Sequence, residues 1–438
     1  LTALRRAVEV LTDTITTLPY RGPMRLETPI DWPQGIDALD WLASQAVFPK
    51  FYWHHRNGRE EVVALGQVTT YTDPAAAEET LADGQRVWGG LSFDGNTGRN
   101  RRCMPSLFFL PQIELVRQDG FWHLAVNFSS DNKRLLAALA KLKLDVSPVT
   151  FPDSDIVEEH TLPTQAEWHA QIDQALNAIA TTELEKVVLA RRTTVKMASA
   201  VSAEQLLKAS SAVNPRSFHF MMSMSPSHAF VGSTPERLFR CRNADIETEA
   251  LAGTTGRGID RQQDEELANW LLSDSKNRYE NQLVVDDIEA RLQPYVDSLH
   301  TVPEPEVIQL RQVQHLRRPI KATLSGAMKH ASILSSLQPT AAVAGLPRAA
   351  AYQYLLDNEA FARGWYSGSV GYIGEHQSEF CVALRSALIA NDTIHLFAGA
   401  GIVPGSDPEA EWQEINRKTA TLKSLLERTP SCPQQQRA

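Results

Sequence analysis

The chain has little of what would set it apart from an ordinary globular enzyme. Its 438 residues hold four cysteines, Cys103, Cys241, Cys381 and Cys432, widely separated and with no CxxC pair. That pattern excludes a disulfide framework or a structural zinc site and points to a reducing cytoplasm. No apolar run reaches the roughly 18 residues of a membrane-spanning helix. The richest stretch, 341–356, is broken by Gly345, Pro347 and Arg348. The N-terminus sets Arg5 and Arg6 beside Glu9 and Asp13 and lacks the apolar block and cleavage site of a secretory signal. Positive charge is not in excess either. Lys and Arg total 43 against 52 Asp and Glu, a net −9, which excludes a general nucleic-acid binder. There is no internal repeat, low-complexity block or heptad, so a monomer is the default expectation.

What is present is enough for a large core. Apolar residues make up 43% and charged residues 22%, so no metal or disulfide staple is needed for folding. Residues 1–143 mix strand-like runs at 61–68 and 121–128 with turn clusters such as 95–98, and a short helix is expected at 133–142. The Pro- and Asp-rich stretch 145–163 reads as a crossing loop or linker. Thr164 and Glu167 form a capping-box pattern ahead of a helix whose buried stripe is Trp168, Ile172, Leu176 and Ile179. Strands are expected at 186–190, 229–232 and 246–251, and one long helix at 264–292. Residues 380–390 and 393–403 read as a hairpin around Asn391-Asp392. Asp407-Pro408 then opens a helix running to about residue 428, with Asp as N-cap and Pro at the first helical position. Residues 429–438 read as a frayed tail.

Several residues could carry chemistry. Glu411, Glu414 and Lys418 share a helix face, either as a solvated Glu–Lys surface or as a site for Mg²⁺ and an anion. Glu280 borders the apolar side of the long helix, which is either a charged flank or a ligand position. Alternation along 380–387 puts Cys381, Ala383, Arg385 and Ala387 on one strand face. An arginine there needs an anion, supplied by a carboxylate ligand or by a structural ion pair. Gly399 and Gly401 let backbone approach a ligand, but the third glycine and the βα unit of a dinucleotide fingerprint are missing. Glu236 is either a positioned acid or a loop carboxylate. Lys186 alternates with Val188 and Ala190 and reads either as a base of lowered pKa or as a snorkelling lysine.

Taken together, the residues from about 164 to 428 resemble the chorismate-utilising enzymes. That family comprises isochorismate synthases, salicylate synthases and the chorismate-binding components of anthranilate and aminodeoxychorismate synthases. Seven blocks match in the family's order. They are Glu185-Lys-Val-Val-Leu-Ala-Arg191, Gly232-Ser-Thr-Pro-Glu-Arg237, Glu249-Ala-Leu-Ala-Gly-Thr254, the segment 277–287, Gln338-Pro-Thr-Ala-Ala-Val-Ala-Gly345, Ala398-Gly-Ala-Gly-Ile-Val403 and Glu411-Trp-Gln-Glu-Ile-Asn-Arg-Lys418. Val313-Gln-His-Leu-Arg-Arg318 and Phe51-Tyr-Trp with Arg56-Asn-Gly58 are most similar to the menaquinone-pathway isochorismate synthases.

The resemblance implies an α+β fold of two packed, largely antiparallel β-sheets surrounded by helices, as in anthranilate synthase component I. It implies that 1–163 is the N-terminal portion of that unit, 164–428 the chorismate-binding core and 429–438 a tail. Glu280 and Glu414 would be Mg²⁺ ligands with Glu411 nearby, and the metal would hold the ring carboxylate of chorismate. Arg385, the Gly399 and Gly401 amides and Lys418 would bind substrate carboxylates, with Ala252, Ala342, Val343 and Tyr366 around the substrate. Lys186 would be the general base activating water for attack at C2, and Glu236 the general acid protonating the departing C4 hydroxyl. Amine-transferring members carry a non-basic residue at the Lys186 position and use a glutamine amidotransferase subunit, which the resemblance therefore does not imply here. Ala252 stands where aminodeoxychorismate synthases place a nucleophilic lysine. The expected activity is isochorismate synthase. The alternatives are a salicylate synthase, which goes on to eliminate pyruvate, and a noncatalytic chorismate-binding protein.

Overall fold

The computed structural model describes residues 2–93, 106–326 and 328–427. Their strands form two sheets, one of twelve strands and one of ten. The neighbouring strands that build the site pair antiparallel throughout. In the larger sheet, strands from the N-terminal third lead through Lys50–His54 to Phe218–Ser225, then His228–Thr234, Ser386–Ala390, Thr393–Ile402 and Lys186–Met197. In the smaller sheet, Val313–Leu324, Asp245–Gly256, Arg237–Arg242, Gln377–Val382 and Ser369–Gly374 lie side by side and continue into Arg86–Leu91. The N-terminal residues therefore contribute strands to both sheets.

One apolar cluster joins the sheets. Phe51, Trp53 and Phe218 from the larger meet Trp88, Phe109 and Tyr372 from the smaller, all buried. The alternation of apolar side chains in these strands puts one face inward, so register and core are set together. A second cluster covers the other face of the larger sheet. There the Thr2–Thr17 helix lays down Leu4, Ala7, Leu11 and Ile15, spaced at three and four residues as a helical stripe requires.

The sheets are also joined covalently, by two adjacent strand crossings. The chain leaves the larger sheet at Thr234 and enters the smaller at Arg237; it returns between Val382 and Ser386. The two crossings run antiparallel and are paired at both ends. Gly232 faces Ser386 in one sheet and Arg237 faces Cys381 in the other. Between them, Ser233 N–H donates to Arg385 O at 3.0 Å and Val382 N–H to Glu236 O at 3.1 Å. Glu236 and Arg385 sit at the middle of this ribbon.

Several local expectations hold. The Phe121–Phe128 strand forms, and the Thr164–Glu167 capping box closes the start of Gln165–Thr181. Asp407 caps the Pro408–Lys423 helix by accepting from Ala410 N–H at 2.8 Å. Others are corrected. The single helix expected at 264–292 is two, Arg261–Ser273 and Ser275–Leu292, because Asp274 leaves the helical conformation to cap the second. The expected linker at 145–163 contains the strand Ile156–Leu162, which pairs with Lys186–Met197. The expected strand at 380–390 breaks at Arg385, whose φ is +46°, so alternation does not set that side chain's direction. The C-terminal helix ends at Lys423 rather than near 428. The turn expected at 95–98 and the tail at 429–438 lie outside the described residues.

Candidate active site

A cavity opens where the ribbon meets the end of the Lys186–Met197 strand. Its walls include Glu236, Ala252, Glu280, Ala342, Val343, Tyr366, Arg385, Gly399, Gly401 and Lys418. These residues come from eight separate parts of the chain, and all were expected from sequence. Lys186 lies just beneath the wall. Its side chain is fully buried and its Nζ is 3.1 Å from Glu280 Oε1. That approach is off the hydrogen-bonding direction, and Nζ has no aligned partner among the described residues.

The glycines on the Thr393–Ile402 strand have a steric reason beyond backbone access. A Cβ at Gly401 would lie 2.1 Å from Glu280 Oε1 and 2.8 Å from Lys186 Cε. A Cβ at Gly399 would lie 2.7 Å from Tyr366 Oη. Each hydrogen leaves the volume that a functional side chain occupies. Gly399 also presents its carbonyl to Lys418 Nζ at 2.8 Å. Tyr366 is buried and stacks on Phe397, with ring centroids 5.3 Å apart and planes inclined by 12°.

Three carboxylates gather at the end of the cavity nearest the Pro408–Lys423 helix, each paired with a lysine. Glu280 pairs with Lys186, Glu414 with Lys418 at 2.6 Å, and Glu411 with Lys276 at 2.7 Å. They also repel one another. Burial, together with Glu414 and Glu280 nearby, pushes Glu411 up to about 7 against the pull of Lys276. Burial acts on Glu414 too, but Lys418 and Lys276 outweigh it and hold that group below its ordinary value. Glu411 Oε2 is buried with no hydrogen-bond partner among the described residues. Among the described residues, no three acidic, His or Cys side chains converge into a closed ligand cluster.

Glu236 stands apart from these. It is 3% exposed, and burial, aided by the charge of Glu249, raises its carboxyl to about 8 despite Arg385, Lys186 and Lys418. At neutral pH it is a protonated acid on a cavity wall, the state a general acid requires.

Arg385 reaches the cavity with a partner that the sequence reading did not assign. Its Nη2 is 2.8 Å from His315 Nε2, and His315 Nδ1 is 3.0 Å from Thr254 Oγ1. Guanidinium only donates, so Nε2 accepts and the ring proton sits on Nδ1, directed at Thr254. Burial, with Arg385 and Lys418 alongside, holds the imidazole well below its ordinary value and therefore neutral. Lys276 was also missed. His315 lies inside a matched block and Lys276 directly precedes one, but the signal that would have marked them is a spatial neighbour rather than a spacing.

Comparisons with known proteins give the family of the chain. The family model described as chorismate binding enzyme matches residues 24–427. The chain belongs to that family. It is 42% identical over 440 residues to isochorismate synthase MenF of Escherichia coli, covering 97% of this chain and 98% of that one. It is 37% identical over 261 residues to the salicylate biosynthesis isochorismate synthase of Pseudomonas aeruginosa, covering 59% and 54% of the two chains. The solved structure of the menaquinone-specific isochorismate synthase MenF from Escherichia coli superposes with a TM-score of 0.90 at 41% identity, covering 97% of this chain and 100% of that one. Anthranilate synthase component I from Streptococcus pneumoniae superposes with a TM-score of 0.66 at 20% identity, covering 90% and 95%. At that identity the likeness shows the shared fold. The expected two-sheet α+β architecture of the chorismate-binding family is therefore the one this chain has.

Proposed function

We infer that this chain is an isochorismate synthase that serves menaquinone biosynthesis. The observation that carries the reading is the joint presence, on one cavity, of a buried lysine and a protonated carboxylic acid, in a chain similar to isochorismate synthase MenF along almost its full length. Lys186 takes a proton from water as its oxygen bonds to C2 of chorismate. The ring double bonds shift, the C4–O bond breaks, and Glu236 gives its proton to the departing hydroxyl, which leaves as water. One water is consumed and one released, so the step is an isomerisation with the pyruvyl group retained. Without the acid, hydroxide would be a poor leaving group, and without the base, water a weak nucleophile. Arg385 and Lys418 orient the substrate carboxylates.

Glu280, Glu411 and Glu414 would hold Mg²⁺. The fit rests on their chemistry: hard oxygen donors, mutual repulsion that a cation relieves, and a buried Glu411 oxygen without a partner. Mg²⁺ typically takes one or two carboxylates and completes its shell with water and substrate oxygens, so a closed protein cluster is not required. When bound it supplies positive charge to a substrate carboxylate. Lysine at position 186 suits water as nucleophile, so the protein works without a glutamine amidotransferase subunit. The segments 1–163 and 164–428 act as one unit, a monomer in our reading, because strands from both build the same sheets. No helix among the described residues is long and apolar enough to cross a membrane. Buried, unpaired Cys241 and Cys381 suit the cytoplasm.

The test is product analysis of purified protein with chorismate and Mg²⁺, with and without a chelator. Isochorismate alone, lost on chelation, is expected. Salicylate with pyruvate would make the protein a salicylate synthase, and unchanged chorismate would make it a noncatalytic binder.

A further inference from the structure

Residues 1–143 carry no chemistry in the reading above, yet one of them reaches the site. Arg56 lies in the tight turn between the strands Lys50–His54 and Glu60–Leu65, where Gly58 takes a φ of +75°. Its guanidinium leaves that hairpin tip and passes to the other sheet, with Cζ 5.4 Å from the Phe218 ring centroid. There it grips Glu249 with two parallel bonds, Nη1 to Oε1 at 2.6 Å and Nη2 to Oε2 at 3.0 Å. Nη1 also donates to the carbonyl of Pro235 at 2.8 Å. Glu249 Oε1 in turn accepts the backbone N–H of Arg237 at 2.9 Å.

Pro235 and Arg237 flank Glu236. The carbonyl of 235 and the amide of 237 belong to the two peptide planes on either side of the acid. One ion pair thus fixes both planes, the first directly and the second through Glu249. The pair is largely out of solvent, with side chains 14% and 4% exposed. A bidentate Arg–carboxylate contact has a defined plane, so it transmits orientation as well as charge.

We propose that Arg56 is a positioning residue for Glu236, holding the acid's backbone and, through Glu249, setting the charge that its carboxyl faces. This rests on the assignment of Glu236 as the acid. The charged and titratable groups facing that carboxyl are Glu249, Arg385, Lys186 and Lys418, with Tyr366 and Cys381 also near. Arg56, with Arg317 farther off at 3.7 Å, neutralises Glu249, the carboxylate that acts most on Glu236.

The experiment compares Arg56→Gln, Arg56→Lys, Glu249→Gln and Glu236→Gln in the full chain with chorismate and Mg²⁺, reading kcat, KM, the pH dependence of kcat and the melting temperature. Arg56→Gln should lower kcat about 10- to 100-fold through misplacement of the acid, with KM nearly unchanged. It leaves less of the Glu249 charge countered beside Glu236, Arg317 lying farther off at 3.7 Å, so the alkaline limb of kcat should move to higher pH. Glu249→Gln removes that negative charge and should move the limb to lower pH. Arg56→Lys keeps the charge without the fork; it should restore the limb and only part of kcat. Opposite limb shifts are beyond a merely structural ion pair, which would lower kcat, KM fitness and melting temperature together and leave the limb in place. That result would overturn the proposal. If Arg56→Gln does not fold, Arg56→Lys and Glu249→Gln decide by the same criteria. If Glu236→Gln retains turnover, the acid assignment falls and this proposal with it. If Glu236→Gln is inactive while Arg56→Gln keeps kcat and limb, this proposal alone falls.

Discussion

Lys186 Nζ and Glu280 Oε1 lie 3.1 Å apart beneath Gly401, with the lysine side chain wholly out of solvent. The strand and the helix that carry them are distant in sequence, and the missing side chain of Gly401 lets them meet. A buried lysine nitrogen whose nearest carboxylate lies off the hydrogen-bonding axis is under-satisfied, which suits a group that must exchange a proton rather than brace the fold.

Lys186→Gln is expected to cost about 10²- to 10⁴-fold in kcat, the usual contribution of a positioned base. Chorismate affinity should change little, because the lysine lies below the cavity wall. Stopped-flow or calorimetric binding beside steady-state kinetics checks the split. Loss of affinity in proportion to loss of turnover would make Lys186 a binding residue instead.

The protonation state of Glu236 gives a second prediction. Its carboxyl is raised to about 8 by burial and by Glu249, from an ordinary value of 4.5. Activity needs the protonated form, so kcat should fall as pH rises through about 8. The same shift acts on stability. Between pH 4.5 and 8 the folded state holds a proton that the unfolded state has released, so this group destabilises the fold increasingly as pH rises across that window. Glu236→Gln abolishes turnover, but its melting temperature relative to the native chain should be higher at pH 9 than at pH 5. An unchanged difference between the two pH values would refute the raised carboxyl.

Gly401→Ala is a third. The added carbon would sit 2.1 Å from Glu280 Oε1, so the carboxylate must move. A displacement of that order at a reacting centre costs about 10²-fold in rate. Overpacking should cost about 1–3 kcal/mol of stability, leaving a folded protein. Measured kcat near the native value would show that Glu280 has room the structure does not indicate.

Legibility from sequence followed the range of the interaction. The capping box at Thr164 and the Asp407-Pro408 start are local, and both stand as expected. The break at Asp274 was hidden because a capping aspartate inside a continuous polar and apolar pattern looks like a charged helix surface. Most site residues were legible through the family's ordered blocks, and Arg385 through its place in an apolar run. Spacing alone would have misled at two of them. Alternation put Arg385 on a strand face, whereas a positive φ turns it at a sheet crossing. Helical i,i+4 spacing would pair Lys276 with Glu280, whereas Lys276 binds Glu411 on another helix. The function of Arg56 was invisible because its partners lie about 180 to 190 residues away on the second sheet.

The paired crossings have a consequence for how such a site can diversify. Glu236 and Arg385 ride on two strands bonded to each other at both ends of the passage from one sheet into the other. Their separation is thus a property of a backbone ladder, indifferent to what lines the cavity. Side chains on the remaining walls that do not bond Arg385, as His315 does, can be exchanged to suit another nucleophile or another fate of the ring without disturbing acid or cation. An inserted or deleted residue in either crossing is another matter. It would reverse the direction of every side chain beyond it on that strand, and no substitution elsewhere in the wall would restore the pair. Chemistry in this scaffold is free to vary by replacement and barred from varying by length.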